Sequence, residues 1–261
     1  MSDLLTSAEE LRALRTRLQQ GAWRHVVVLT GAGISVASGL PTYRGPGGLW
    51  TRPENAELPD AALYARDPSR LWALFGPLRS QARAARPNAA HLALAEWESK
   101  RAQGRSFTLL TQNVDGLHAR AGSRNVVELH GSLLRTRCGN PDCALSAFED
   151  TAEPTQAPSC ERCGRPLRPD ITLFDEPLPV DAEWVAKKAL RDCDLFLAIG
   201  TSGSVAPASS FVRGAKYAGA WTLLVNLTPM RPRHPDFDVE VLGRAEDLLP
   251  MLLGDARGEG A

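Results

Sequence analysis

Hydrophobic positions along the chain form short apolar runs, separated by longer segments with helical periodicity. The runs predicted as strands are Val26–Leu29, Ser106–Thr111, Asn125–Leu129, Asp194–Ile199 and Trp221–Val225. Runs of this length, rich in Val, Leu and Ile, are typical of parallel strands that are covered on both faces. The pattern therefore predicts a buried parallel sheet.

The segments between these runs predict helices. In the first of them Leu11, Leu14 and Leu18 share one face, and Ser7 is a suitable N-cap. Pro77 predicts a kink or break in another. The predicted helices are Ser7–Gln20, Pro68–Arg83, Asn88–Lys100, Asp181–Arg191, Phe211–Ala218 and Ala245–Leu253. Strands that alternate with helices in this way predict an α/β fold with a doubly wound, Rossmann-like parallel sheet.

Composition narrows the class of protein. Lys+Arg and Asp+Glu both number 30, so the net charge of zero does not indicate a general nucleic-acid or membrane surface. No apolar run is long enough to span a membrane, and the N-terminus lacks the apolar region of a secretion signal. We therefore expect a cytoplasmic protein that binds neither nucleic acid nor membrane. The pattern indicates no particular oligomeric state.

Four of the five cysteines form two close pairs, Cys138-x₄-Cys143 and Cys160-x₂-Cys163. Four thiolates at such spacing suit one tetrahedral Zn²⁺, and four sulfur ligands leave no open position for chemistry. A DNA-binding zinc ribbon would use the same spacing, but the segment lacks the basic stripe of a nucleic-acid-binding module. The sequence thus predicts a structural zinc site. The fifth cysteine, Cys193, is interpreted as a packing residue.

The strand at Val26–Leu29 leads into a glycine turn, Gly31-Ala32-Gly33. Residues without a Cβ let the backbone approach a phosphate closely. The motif is weak alone, and Val36 replaces the third glycine of G-x-G-x-x-G, so a turn without a ligand is the alternative. Polar residues also follow the other strands, at the edge where open α/β sheets bind ligands. These clusters are Gln112-Asn113-Val114-Asp115, His130-Gly131, Gly200-Thr201-Ser202 and Asn226.

Several motifs in order resemble those of the sirtuins, the NAD-dependent protein-lysine deacylases. They are GAGISVASGLPTYRG (31–45), TQNVDGLH (111–118), HG (130–131), the paired cysteines, GTSGSVAPA (200–208) and NLT (226–228). The resemblance covers residues 24–253. It implies an NAD-binding Rossmann-like domain of residues 1–40, 87–131 and 173–261. Residues 41–86 would form a cofactor loop and helical insert, and residues 132–172 a small zinc-binding module.

The resemblance also implies roles for individual residues. His130 would be the catalytic general base, with Asn113 as a second catalytic residue. Leu173, Phe174 and Val205 would bind the substrate peptide as an added strand. The residues implied in NAD binding are Gly31, Ala32, Gly33, Ser35, Tyr43, Arg44, Trp50, Gln112, Asn113, Asp115, Gly200, Thr201, Ser202, Asn226 and Ala245.

The implied reaction consumes NAD. The acyl oxygen of a modified lysine attacks C1′ of the nicotinamide ribose, and nicotinamide leaves. His130 then acts as a base on a ribose hydroxyl, a task that suits a group titrating near neutrality. The products are free lysine, nicotinamide and O-acyl-ADP-ribose. The alternatives are ADP-ribosyl transfer to protein, NAD hydrolysis, and a non-catalytic module that binds NAD or ADP-ribose.

The segments 68–72 and 87–91 resemble the subgroup that removes succinyl and malonyl groups. That subgroup binds the acidic acyl end with a Tyr-x-x-Arg pair, and the matching tetrad here is Gly76-Pro77-Leu78-Arg79. Arg79 is therefore the expected acyl-binding residue, and the hypothesis is a deacetylase with broader deacylase activity. Two further departures are Tyr43, where Phe is commoner, and Asp175, where the family often has Gly.

Overall fold

The computed structural model describes residues 3–43, 48–51, 59–101, 103–203, 205–230 and 232–254. The strands are β1 (Asp3–Leu5), β2 (His25–Thr30), β3 (Ser106–Thr111), β4 (Val126–Glu128), β5 (Gly131–Cys138), β6 (Phe148–Glu149), β7 (Leu167–Ile171), β8 (Leu195–Ile199), β9 (Trp221–Asn226) and β10 (Val239–Leu242). The helices are α1 (Ala8–Gln20), α2 (Ala61–Arg66), α3 (Pro68–Ala84), α4 (Ala89–Ser99), α5 (Leu117–Arg120), α6 (Val180–Arg191), α7 (Phe211–Tyr217) and α8 (Ala245–Leu253). The described 3₁₀ helices are Ala32–Ser38, Leu49–Thr51 and Ala208–Ser210.

The main sheet contains seven of the described strands in the order β1-β10-β9-β8-β2-β3-β4. Every neighbouring pair in it is parallel. The direction of winding changes between β2 and β8, which pair from Val26–Leu195 to Thr30–Ile199. The predicted doubly wound sheet is confirmed. Sheets of this type bind ligands in the crevice at the carboxyl ends of the strands where the winding changes.

Both faces of this sheet are covered, which explains why its strands are continuous apolar runs. Successive side chains of a strand point to opposite faces. Val26 and Val28 therefore pack into the core under α1, α4 and α8. Val27 and Leu29 pack into the core under α6 and α7. No helix among the described residues is long and apolar enough to cross a membrane.

The long predicted helices form within a residue or two of their expected ends. Helix α1 begins after Ser7, whose hydroxyl accepts from the Glu10 backbone while the Glu10 carboxylate accepts from Ser7 N. Helix α3 continues through Pro77 to Ala84. It does so because its Phe75 and Leu78 are buried in a third apolar cluster. Packing of a buried face thus outweighs the hydrogen bond lost at proline.

Three parts of the main domain differ from the sequence prediction. Strands β1 and β10 were not predicted. The three-residue β1 is too short to show a hydrophobic pattern, and the buried Glu240 interrupts the apolar run of β10. The glycine turn leads into a 3₁₀ helix at Ala32–Ser38, an element that the sequence pattern did not predict. Its end is set by Gly39, which has a φ of 85°.

A second, antiparallel sheet of order β6-β5-β7 carries part of the cysteine segment. Helix α3 packs against it through Trp72, whose indole N–H donates to the Leu167 carbonyl at 2.9 Å. Trp72 shares an apolar cluster with Cys138, Cys160 and Leu167. Helix α3 therefore attaches the small sheet to the rest of the protein.

Candidate active site

A cleft of about 730 Å³ lies at the carboxyl ends of β2, β3, β8 and β9. Most of the residues predicted for the site contribute to its lining. These are Gly31, Ala32, Gly33, Tyr43, Trp50, Gln112, Asn113, His130, Leu173, Phe174, Gly200, Thr201, Ser202, Val205, Asn226 and Ala245. Ser35 and Asp115 lie in a small recess beside the cleft, and the recess also contacts Ala32, Tyr43 and Asn113. Arg44 lies outside the described residues.

The glycine turn after β2 packs directly on the turn after β8. A Cβ added to Gly33 would lie 2.7 Å from the Gly200 Cα, and one on Gly31 would lie 2.7 Å from the Gly200 carbonyl oxygen. The Gly33 backbone N–H donates to that same oxygen at 2.9 Å. Only residues without side chains allow this contact. Both turns line the cleft, and the arrangement fits a bound phosphate group.

Thr201 joins the ends of three strands at the floor of the cleft. Its hydroxyl accepts from the Gln112 side-chain amide at 3.1 Å, and its carbonyl accepts from the Asn226 side-chain amide at 2.8 Å. Gln112 follows β3, Thr201 follows β8, and Asn226 ends β9. The three polar side chains predicted at separate strand ends therefore form one hydrogen-bonded surface.

The recess is built around the Ser35 hydroxyl. It donates to Asp115 Oδ2 at 2.7 Å and accepts from Asn113 Nδ2 at 3.2 Å. Asn113 Nδ2 also donates to the Gly31 carbonyl at 3.1 Å. Burial raises the pKa of Asp115, and hydrogen bonds from Leu117 N and Ser35 oppose that rise. Asn113 Oδ1 is buried without a hydrogen-bond partner among the described residues, so the recess presents an acceptor for a ligand.

Two histidines behind the recess were not predicted as site residues. His91 Nε2 lies 3.5 Å from Ser35 Oγ, and His118 Nε2 lies 2.9 Å from the Thr30 hydroxyl. Burial lowers the pKa of His91 to about 4, and it lowers the pKa of His118 well below its usual value. Both rings are neutral at pH 7. Their burial on helices gave no sequence signal, although His118 ends the TQNVDGLH motif.

His130 lies at the junction of β4 and β5, on the wall of the cleft. Its Nδ1 is 3.0 Å from the Gln112 carbonyl oxygen. A carbonyl can only accept, so Nδ1 carries the proton and Nε2 is left with a lone pair. Burial lowers the pKa of His130, and the bond to Gln112 opposes part of that shift. The ring is therefore a neutral base near pH 7.

One side of the cleft is an aromatic and aliphatic wall. The Trp50 ring centroid lies 6.1 Å from that of Tyr43 and 6.2 Å from those of Phe75 and Phe174. Ile171, Leu173 and Val114 extend the apolar surface. Burial raises the pKa of Tyr43, and the nearby Asp115 charge adds to the rise, so its hydroxyl stays protonated. This wall suits an uncharged, apolar part of a ligand.

The loop after β7 forms the rim of the cleft on the same side. Arg168 binds both carboxylate oxygens of Glu176 at 2.5 and 2.9 Å, and Leu173 N donates to Glu176 at 2.9 Å. Phe174 N donates to the Pro59 carbonyl at 3.1 Å. Val205 also lines the cleft. The predicted peptide-binding residues therefore all belong to the lining of one open cleft.

The structure corrects the expectation for Arg79, which does not line the cleft. Its side chain is 0 % exposed and points toward the small sheet. The guanidinium donates to the carbonyls of Arg135 at 3.1 Å and Asp150 at 3.0 Å, and to the Asp150 carboxylate at 3.3 Å. It also stacks on Trp72, with its carbon 5.1 Å from the ring centroid. Arg79 is a structural residue here, because the helix directs it away from the cleft.

The four predicted cysteines converge in the small sheet. Their sulfurs lie within 4.8 Å of one another, with Cys138 and Cys163 at 3.4 Å and Cys143 and Cys160 at 3.8 Å. Zn–S bonds of about 2.3 Å place tetrahedral sulfurs roughly 3.8 Å apart, so the cluster fits one zinc ion. All four are free of disulfides. The cysteines are positioned to bind zinc, as predicted.

Comparison with known proteins agrees with this geometry. The Sir2 family model matches residues 31–207. NAD-dependent protein deacylase 2 of Pyrobaculum aerophilum is 45% identical over 234 residues, covering 90% of this chain and 92% of the relative. NAD-dependent protein deacylase 1 of Pseudomonas aeruginosa is 42% identical over 239 residues, with coverages of 88% and 93%.

Solved structures give the same result. A Sir2 homologue in complex with NAD has 35% identity and a TM-score of 0.82, over 97% of this chain and 94% of that one. A Sir2 variant with a deacetylated p53 peptide and acetyl ADP-ribose has 27% identity and a TM-score of 0.79, over 95% and 97%. Fold and site together define a doubly wound α/β nucleotide-binding protein with a cysteine-rich insert. The chain belongs to the Sir2 family.

Proposed function

We propose that this protein removes acyl groups from lysine side chains of other proteins in a reaction that consumes NAD. The observation that carries the proposal is the position of His130. Its ring lies on the wall of a cleft that also holds the glycine turns and the apolar wall, and its Nδ1 is fixed by Gln112. A neutral base thus shares one cleft with a surface for phosphate and a surface for an acyl chain.

NAD fits the cleft on two observations. The contact between the turns at Gly33 and Gly200 leaves space that any Cβ would fill, which suits the diphosphate. The buried Asn113 Oδ1 has no described partner and can accept from the carboxamide of nicotinamide. NAD supplies the ADP-ribosyl group that accepts the acyl group as nicotinamide departs. Asn226 and Ala245 would contact the adenosine end, and Ser202 the diphosphate.

The chain's own residues would carry out three tasks. Ser35, Asn113 and Asp115 orient the nicotinamide end through their shared hydrogen bonds. Tyr43 and Trp50 exclude water from that end, where a developing positive charge is sensitive to hydrolysis. His130 takes a proton from a ribose hydroxyl at Nε2, since its Nδ1 already donates to Gln112. The hydroxyl then captures the acyl group.

The acyl group that suits this cleft is uncharged. The wall that would surround it consists of Phe75, Val114, Ile171, Leu173 and Phe174. The arginine expected to bind an acidic acyl end, Arg79, is held by carbonyls of the small sheet instead. We therefore propose acetyl and longer apolar acyl groups as substrates, and little activity on succinyl-lysine.

The four cysteines would hold one zinc ion that acts only in stability. Four sulfur ligands complete a tetrahedral shell, so no position is left for water or substrate. Free thiols of this kind persist in a reducing compartment, which supports a cytoplasmic location. The net charge of zero supports neither nucleic acid nor membrane as a partner. The partners are then acylated proteins.

The proposal is tested by mass spectrometry of an acetyl-lysine peptide incubated with the protein, with and without NAD. Loss of the acetyl group only when NAD is present is the expected result. The His130→Ala variant should lose about 10²-fold or more of this activity. As a control, His25→Gln changes a histidine at the opposite end of β2 and should keep it. An intact peptide together with released nicotinamide would instead indicate NAD hydrolysis.

A further inference from the structure

Asp175 adopts a backbone conformation that a side chain rarely takes. It is the one non-glycine residue with a positive φ, 71°, among the residues that the structure describes. Asp and Asn tolerate this left-handed region better than other side chains, but glycine fits it at lower cost. A strained residue at the edge of a binding cleft is a reasonable starting point for a functional hypothesis.

The surrounding loop fixes where the Asp175 carboxylate stands. On one side, Phe174 is held by its bond to Pro59 and by its contact with Trp50. On the other, Glu176 is held by two bonds from Arg168. Asp175 itself is exposed and lines the cleft, and no described residue pairs with it. Its charge therefore lies on the exposed lining of the cleft.

The other charged residues of the described cleft lining are already compensated. Glu176 pairs with Arg168, and Arg137 lies 3.7 Å from the same carboxylate. Arg244 and Glu246, which also line the cleft, pair with each other at 3.3 Å. The described lining thus leaves one uncompensated charge. It is negative, and it lies beside the Leu173–Phe174 edge.

We propose that Asp175 selects acylated peptides that carry Lys or Arg close to the acylated lysine. This assignment rests on the proposed function, because it requires the peptide to lie along the groove between Phe174 and Val205. An extended peptide bound there pairs through its backbone, so its side chains are left to determine sequence preference. A carboxylate on the rim favours a cationic side chain and repels an anionic one. Because the pair is exposed, the effect is moderate and weakens with salt.

The test compares two acetyl-lysine peptides that differ only in one residue next to the modified lysine, Arg in one and Glu in the other. For the wild-type protein, kcat/KM should be about fivefold higher with the Arg peptide than with the Glu peptide in low salt. The preference should narrow toward unity in high salt. In Asp175→Asn the ratio should fall to about one in low salt, because Asn keeps the left-handed backbone and removes only the charge.

The matched control is Asp181→Asn. It removes one negative charge from the exposed first turn of α6, outside the cleft, and should leave the fivefold ratio unchanged. A ratio that changes equally in both variants would overturn the assignment, because net charge would then be the cause. Equal kcat/KM values for the two peptides in the wild-type protein would also overturn the Asp175 assignment.

A binding measurement separates this assignment from the proposed function. Fluorescence anisotropy of the two labelled peptides, with ADP-ribose present, reports affinity without turnover. Tighter binding of the Arg peptide, lost in Asp175→Asn, would support the role of Asp175 even if neither peptide were deacylated. Binding without turnover would overturn the proposed function alone, whereas turnover with equal affinities would overturn the Asp175 assignment alone.

Discussion

Nδ1 of His130 lies 3.0 Å from the carbonyl oxygen of Gln112, and this contact determines which ring nitrogen acts as the base. Gln112 also contacts Thr201 through its side chain, so one residue links the proposed base to the floor of the cleft. The proton on Nδ1 leaves Nε2 available to a ribose hydroxyl. The tautomer needed for catalysis is therefore set by the backbone of a neighbouring strand end.

The pH dependence of the reaction follows from the pKa of His130. Burial lowers this pKa from 6.5, so the ring loses its proton at a lower pH than free histidine does. Activity should be full at pH 7 and should fall as pH decreases through the lowered pKa. We expect the acid limb of kcat/KM, measured with an acetyl-lysine peptide, to have its midpoint below 6.5. A midpoint above 6.5 would contradict the environment described for His130.

The role of Arg79 can be separated from acyl recognition. Arg79→Met should lower the free energy of unfolding by about 2–4 kcal/mol, because it leaves buried carbonyls and Asp150 without a donor. Arg83→Met is the control on the same helix, since its partly exposed pair with Glu153 contributes less than about 1 kcal/mol. Urea denaturation monitored by circular dichroism measures both changes.

The Arg79→Met variant also tests whether Arg79 contributes to the choice of acyl group. The protein should deacylate acetyl-lysine peptides far faster than succinyl-lysine peptides, and Arg79→Met should leave that ratio unchanged. Succinyl turnover that disappears selectively in Arg79→Met would show that this arginine does reach the acyl group, which would overturn its structural assignment.

Gly33 should be essential for nucleotide binding. In Gly33→Ala the new Cβ would lie 2.7 Å from the Gly200 Cα, so the two turns must separate. We expect ADP-ribose affinity, measured by calorimetry, to fall about tenfold or more, which is about 1.4 kcal/mol. Gly76→Ala serves as a control, since its Cβ meets nothing within 4 Å on α3. That change should keep the affinity and stabilise the helix by about 0.5–1 kcal/mol.

The cysteine cluster should hold one zinc ion per chain. Cys160→Ser removes a buried ligand, so both the zinc content and the thermal midpoint should fall. Cys193→Ala alters the cysteine outside the cluster and should leave the zinc content unchanged. Elemental analysis by mass spectrometry gives the stoichiometry. Full zinc content in Cys160→Ser would contradict a four-cysteine site.

The parts predictable from sequence were those with a strong local signal. The central strands are continuous apolar runs because both faces of the sheet are buried, as Val26 and Val27 illustrate. The polar residues after each strand, such as Asn113 and Thr201, meet because parallel strands end at one edge. The spacing of the paired cysteines was sufficient to predict a four-cysteine zinc site.

The parts that sequence missed depend on tertiary contacts. Arg79 was expected in the cleft, but its direction depends on how α3 packs against the small sheet, which no local pattern encodes. His91 and His118 form a layer behind Ser35 only after distant helices come together. The strand β10 was missed because Glu240 is buried within it.

NAD-dependent deacylation is tested most directly by quantifying all products from one acetyl-lysine peptide and NAD by liquid chromatography and mass spectrometry. Transfer of the acetyl group to ADP-ribose predicts equal amounts of deacetylated peptide, nicotinamide and O-acetyl-ADP-ribose. Free ADP-ribose with an intact acetyl peptide, or ADP-ribose attached to protein, would contradict deacylation and identify an NAD hydrolase or an ADP-ribosyltransferase instead.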